Sequence, residues 1–204
     1  LNVSIQTNAA KTQYDDVTIE NLRGNILIQN GILKLSNGTL GIIGATAKMD
    51  AMYKNEGTQK AYFDYKINVS EFDIKRAYNE IKMFREIVTA AESAEGIVGL
   101  NYSIKGVLNN QMEPVMPSLE GSGTLSVKKV KMKGFKLLNV VSAKTENPDI
   151  KDPDISKVDI KSTIKNNIVT IERFKFKVAG FRLRFEGQTS LDGKLNLKMR
   201  IGLP

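Results

Sequence analysis

The chain has 204 residues, a hydrophobic fraction of 41% and a formal net charge of +8. That is apolar enough to build a core, which excludes a disordered chain. It contains neither Cys nor His, which excludes thiol nucleophiles, Ser-His-Asp triads, Cys/His zinc sites and imidazole acid-base catalysis.

Strand-length apolar runs follow one another from the N-terminus: Leu22 to Gln29, Ile32 to Ser36, Leu40 to Tyr53 and Ala61 to Val69. Asn30-Gly31 and Asn37-Gly38 stand between them, and Asn and Gly tolerate the positive φ of tight hairpin turns, so each pair predicts a strand reversal. The period then changes. From about residue 73 to 92, Ile74, Ala77, Tyr78, Ile81, Phe84, Ile87, Val88 and Ala91 recur at spacings of three and four. This predicts one long amphipathic helix with Asp73 at its cap.

Strands resume over Ile97 to Leu108 and Leu119 to Lys133, with Asn109-Asn110 between them. A short helix is expected at about 135–143, followed by the Pro/Asp-rich stretch KTENPDIKDPDISK. Its carboxylates lack the spacing of a calcium loop, so it reads as a solvated loop with no metal. Val158 to Lys165 and Ile168 to Lys177 are strands separated by Asn166-Asn167.

The last segments alternate most strictly. Phe174, Phe176 and Val178, then Phe181, Leu183 and Phe185, then Leu195, Leu197, Met199 and Ile201 fall on one face, with Lys and Arg filling most intervening positions. Ala179-Gly180 breaks the alternation as a turn or a bulge, and Asp192-Gly193 predicts a strand reversal. These ten apolar residues are the expected lining of a lipid groove or of a core.

The expected fold is mostly β, an antiparallel meander forming a curved sheet, an open groove or a closed barrel or sandwich, within a single domain spanning residues 1–204. About ten such strands present over 1,000 Å² of apolar surface on one side, whereas a twenty-residue helix shields on the order of 300 Å². The sheet must therefore close on itself, pack on a second layer or hold an apolar ligand.

The basic balance suits an anionic membrane, lipopolysaccharide or nucleic acid. Alternating cations are also how a sheet keeps its wet face soluble. Nucleic acid is not the expected partner, because the aromatics lie on the face opposite the cations. No pair of carboxylates sits where its pKa would be perturbed, so no enzymatic activity and no cofactor are expected. No run approaches the roughly 18 apolar residues of a membrane span, and the start at Leu1 suggests a piece of a longer chain.

The order of YDDVTIENLRGNILIQNGILKLSNGTLGIIGATAKMDAMY, FDIKRAYNEIKMFREI, GIVGLNYSIKGVLNNQMEPVMPSLEGSGTLSVKKVKMKGFKLLN and GFRLRFEGQTSLDGKLNLKMRIGLP resembles the C-terminal region of AsmA-family proteins. The resemblance covers nearly the whole chain through diffuse glycine and apolar signatures. It implies a periplasmic β-rich portion of a bacterial envelope protein, anchored in the inner membrane by an N-terminal helix outside this sequence. It further implies an apolar groove for phospholipid or other acyl chains, serving lipid transport or outer-membrane biogenesis. The family offers no catalytic motif to carry over. The alternative reading is a structural or protein-binding β scaffold with a closed core.

Overall fold

A computed structural model describes residues 2–14, 17–57, 60–191 and 194–202. Eleven strands follow in chain order, each hydrogen-bonded to the next, with β1 and β11 as the two edges of an open sheet. They are β1 (Asn2–Tyr14), β2 (Val17–Gln29), β3 (Ile32–Ile42), β4 (Ala45–Asn55), β5 (Ala61–Asp73), β6 (Ala94–Leu108), β7 (Glu120–Met132), β8 (Asp154–Lys165), β9 (Ile168–Val178), β10 (Phe181–Ser190) and β11 (Leu195–Gly202). Every pairing is antiparallel. The meander expected from the alternation is present, but the sheet does not close into a barrel. β1 was not foreseen, because Val3 and Ile5 are its only large aliphatic residues.

The registers align one side of each strand with the same side of the next. A row of direct cross-strand partners runs Ile5, Ile26, Leu35, Ala51, Tyr65, Ile104, Gly121, Ile164, Val169, Thr189 and Leu195. A strand side chain alternates between faces with period two, so this row defines an inward face shared by all eleven strands.

Asn30-Gly31 and Asn166-Asn167 turn the chain with both φ values positive, as two-residue hairpins require. Ala179 and Gly180 do the same at φ 48° and 83°. Asn37-Gly38 does not reverse the chain. It lies inside β3, where the register shifts between Leu35 and Gly38 and Asn37 N donates to Asp50 Oδ1 at 2.9 Å. The pair is therefore a β-bulge, and the reversal comes later at Ile43-Gly44. A β-branched residue with φ 49° at Ile43 gives no turn signal; its side chain packs against the core instead. The expected Asp192-Gly193 turn lies outside the described residues.

The single long helix is also corrected. Asp73 caps as expected, its Oδ1 accepting from Arg76 N at 2.9 Å, but the helix stops after seven residues. α1 (Ile74–Glu80) is followed by Ile81 in extended backbone, then by α2 (Lys82–Ile87) and a 3₁₀ turn, Thr89–Ser93. The break divides the apolar stripe between two hydrophobic clusters. Ile74, Ala77, Tyr78, Phe84 and Val88 join the larger one, whereas Met83 and Ile87 pack against the other, around Phe63, Ile104 and Leu119. A straight helix holds one stripe on one line and could not serve both.

The expected short helix is α3 (Lys136–Thr145). The Pro/Asp segment after it is more than a solvated loop. Asn147 Oδ1 caps a 3₁₀ turn by accepting from Asp149 N, and Asp152 Oδ1 accepts from Gly134 N at 2.9 Å. Ile150 and Pro153 are buried.

β8 and β9 pair only over Ser162–Lys165 and Ile168–Ile171. Beyond that they separate, β8 staying with β7 and β9 with β10. Leu138 and Val141 of α3, with Ile150, belong to the same buried cluster as Val158 on one side of this split and Phe176 and Val178 on the other.

Candidate apolar binding face

Of the ten residues expected to line a groove or core, Phe176, Val178, Leu183 and Phe185 are buried. Phe174, Phe181, Leu197 and Met199 are half-buried against the same cluster. Ile201, near the end of edge strand β11, is 37% exposed. Leu195 lies in β11, but its side chain falls outside the described residues. Phe174 stands opposite Phe185 across the β9–β10 ladder with ring centroids 5.3 Å apart, a spacing at which aromatic pairs attract. Eight of the ten thus belong to, or pack against, one hydrophobic cluster.

The open part of the apolar face is elsewhere. In β5 to β10 the inward positions include the buried Phe63, Val98, Ile104, Val127, Ile164 and Leu183, whereas in β1 to β4 only Leu40 and Ala47 among the described large or small apolar residues are buried. Two cross-strand rows remain partly bare there: Ile5, Ile26, Leu35 and Ala51, and beside it Val3, Ile28, Leu33 and Tyr53. Ile5 is 44% and Leu33 36% exposed, and the other six are half-buried.

Area explains why. Eleven strands at about 4.8 Å spacing, each near 35 Å long, give an inward face on the order of 1,700 Å². Helices of 7, 6 and 10 residues shield roughly 350 Å² of it. They lie after β5 and after β7 in the chain, and their apolar residues go to the two clusters centred on the later strands. The residues around Ile26 and Leu35 receive no helix. The sequence signal for them was present in NILIQNGILKL, but alternation alone does not say which stretch a helix will cover.

Two hydrogen bonds mark the polar groups of the inward face. Tyr102 Oη and Ser162 Oγ are 3.1 Å apart; burial pushes the Tyr102 phenol above its usual range, opposed by this hydrogen bond. The Tyr102 ring lies against Gly121 and Gly123, where an added Cβ would stand 2.4 Å from Tyr102 Cδ2 at Gly123. Tyr53 Oη donates to Met112 Sδ at 3.9 Å. Among the eight residues Ile5, Ile26, Leu35, Ala51, Val3, Ile28, Leu33 and Tyr53, only Tyr53 has a side chain that can hydrogen-bond.

The outward face is the charged one. Arg173 forms a forked pair with Glu186, Nε to Oε2 at 2.9 Å and Nη2 to Oε1 at 3.0 Å, which holds the Glu186 carboxyl below its usual range. Lys82 and Asn109 do the same for Glu113. Both carboxylates are solvent-accessible, so these pairs orient side chains more than they stabilise the fold. Among the described residues no cluster of three acidic side chains forms a metal-ligand set. No helix among the described residues is long and apolar enough to cross a membrane. Comparison with protein-family models, curated proteins and solved structures gives no match.

Proposed function

We propose that this chain is a non-enzymatic, AsmA-like domain that holds acyl chains of phospholipid or a related lipid on the inward face of β1 to β4. The observation that carries this reading is the pair of aliphatic rows around Ile26 and Leu33, left partly bare in an otherwise packed face. An acyl chain needs no polar anchor there, since each buried CH₂ contributes about 0.8 kcal/mol. Soluble proteins seldom leave contiguous apolar patches larger than a few hundred Å² without an occupant. We infer the setting from the resemblance to AsmA proteins, which implies the periplasmic side of a bacterial envelope, in a protein anchored to the inner membrane and engaged in lipid transport or outer-membrane biogenesis.

The test is native mass spectrometry of protein purified from cells. Co-purifying phospholipid is expected, and Ile26→Asp is expected to remove it while the protein still folds, because Ile26 is only half-buried. Leu183→Asp is the poorer probe: Leu183 is fully buried, and a charge there would unfold the core before it reported on a lining. Lipid-free wild-type protein would sink the proposal.

The alternative, a protein-binding β scaffold, is favoured by β1. This edge strand carries one charged residue, Lys11, over thirteen positions, and unguarded edges accept further strands.

A further inference from the structure

The positive charge of this protein is concentrated at one end of the sheet. Residues 172–202 contain eight Lys or Arg against three Asp or Glu, which is +5 of the chain's +8. The register sets these cations side by side on the outward face of β9, β10 and β11. Lys175 stands opposite Arg184, which stands opposite Arg200, and Lys177 stands opposite Arg182. Strand neighbours are about 4.8 Å apart and alternate residues about 6.6 Å apart, so five cations share a few hundred Å².

All five are exposed. Arg173 beside them is neutralised by Glu186, but among the described residues these five have no carboxylate at ion-pair distance. They surround a half-open depression of about 650 Å³. Crowding like charges with no ion-paired carboxylate, Glu186 acting only at longer range on Arg200, costs free energy in the isolated protein, and an anionic surface relieves it.

We propose that the outward face of β9, β10 and β11 docks on the anionic phosphate headgroups of a phospholipid membrane. One observation selects a membrane over a nucleic acid. No aromatic side chain stands among the cations to stack on bases, since Phe174, Phe176 and Phe185 all take the opposite face, and the exposed Ala179-Gly180 turn that joins β9 to β10 beside the patch adds neither an aromatic ring nor a counter-charge. The docking face and the lipid-holding face are opposite sides of one sheet, and neither proposal requires the other.

The experiment is co-sedimentation of the full chain with phosphatidylcholine vesicles with and without phosphatidylglycerol. Binding is expected only with phosphatidylglycerol, and about 1 M salt, where the Debye length falls to about 3 Å, is expected to abolish it. Each cation at an anionic surface raises partitioning about 5-fold, so Arg182→Gln with Arg184→Gln together should weaken it about 25-fold. Lys175→Gln with Lys177→Gln should give a similar loss, and it serves as the second pair if the first alters the unfolding temperature. Ile26→Asp should leave vesicle binding unchanged, which separates this proposal from the lipid-holding one. Equal binding to both vesicles, undiminished binding by both variant pairs, or tighter binding to a single-stranded oligonucleotide than to phosphatidylglycerol vesicles at the same salt would each overturn it.

Discussion

Arg85 reaches back across a helix break to Tyr78: its Nη1 donates to the Tyr78 carbonyl at 3.2 Å and to the neighbouring Asn79 carbonyl at 3.1 Å. In an unbroken helix those two carbonyls would accept from the backbone amides of Lys82 and Met83. The extended conformation of Ile81 releases them, and one guanidinium takes both. Arg85 is thus the residue that makes two short helices tolerable where periodicity suggests one long one.

Arg85→Ala is therefore expected to destabilise the protein by about 1–2 kcal/mol, since it removes a charged donor from one partly buried and one exposed acceptor. For a chain of this size that corresponds to a fall in unfolding temperature of roughly 2–8 °C, measurable by circular dichroism. Lys at this position has no planar fork and should restore only part of the loss. An unchanged melting curve for Arg85→Ala would mean that the break is held by apolar packing alone.

The Tyr102–Gly123 cross-strand pair gives a second expectation. A Cβ at Gly123 would stand 2.2 Å from Asn101 O as well as against the Tyr102 ring, so Gly123→Ala must move either backbone or ring. The expected cost is about 2 kcal/mol or more, in the range of overpacked interiors. Gly202→Ala meets nothing nearer than 3.6 Å and should leave stability within about 0.5 kcal/mol of the parent. Paired urea titrations of the two variants distinguish a steric requirement from a general intolerance of side chains in strands.

Tyr102 also predicts an alkaline dependence. Burial raises its pKa above the usual value of 10.0, so the folded state keeps the phenolic proton more tightly than the unfolded state does. The corresponding stability is present below the unfolded pKa and is lost as pH rises from there through the folded pKa. Ultraviolet titration should show a tyrosine phase above the usual value, and Tyr102→Phe should remove that late phase. A late phase that persists in Tyr102→Phe would assign the burial to another ring.

These elements differ in how far local sequence revealed them. Strict alternation in FKFKVAGFRLRFEG fixed both the pairing of β9 with β10 and the shared face of Phe176 and Leu183, because a one-residue slip would have put Lys177 in the core. Asn37-Gly38 misled because a bulge and a hairpin ask the same positive φ of Asn37; only the partner Asp50, thirteen residues on, distinguishes them. The helix break was equally hidden, since Ile81 and Arg85 are ordinary helix residues until two separate clusters compete for one stripe. The open face around Ile26 was readable as apolar. That it would stay uncovered depended on where the helices fold back, which no local pattern carries.

The central claim, that the rows around Ile26 and Leu33 hold acyl chains, is tested most directly by photo-crosslinking in cells with a benzophenone side chain at single positions. Inward positions 26, 33 and 35 are predicted to yield phospholipid adducts, while the outward positions Lys34 and Asp50 are predicted to yield none. Adducts absent from the inward positions, or equally abundant at Lys34 and Asp50, would contradict it.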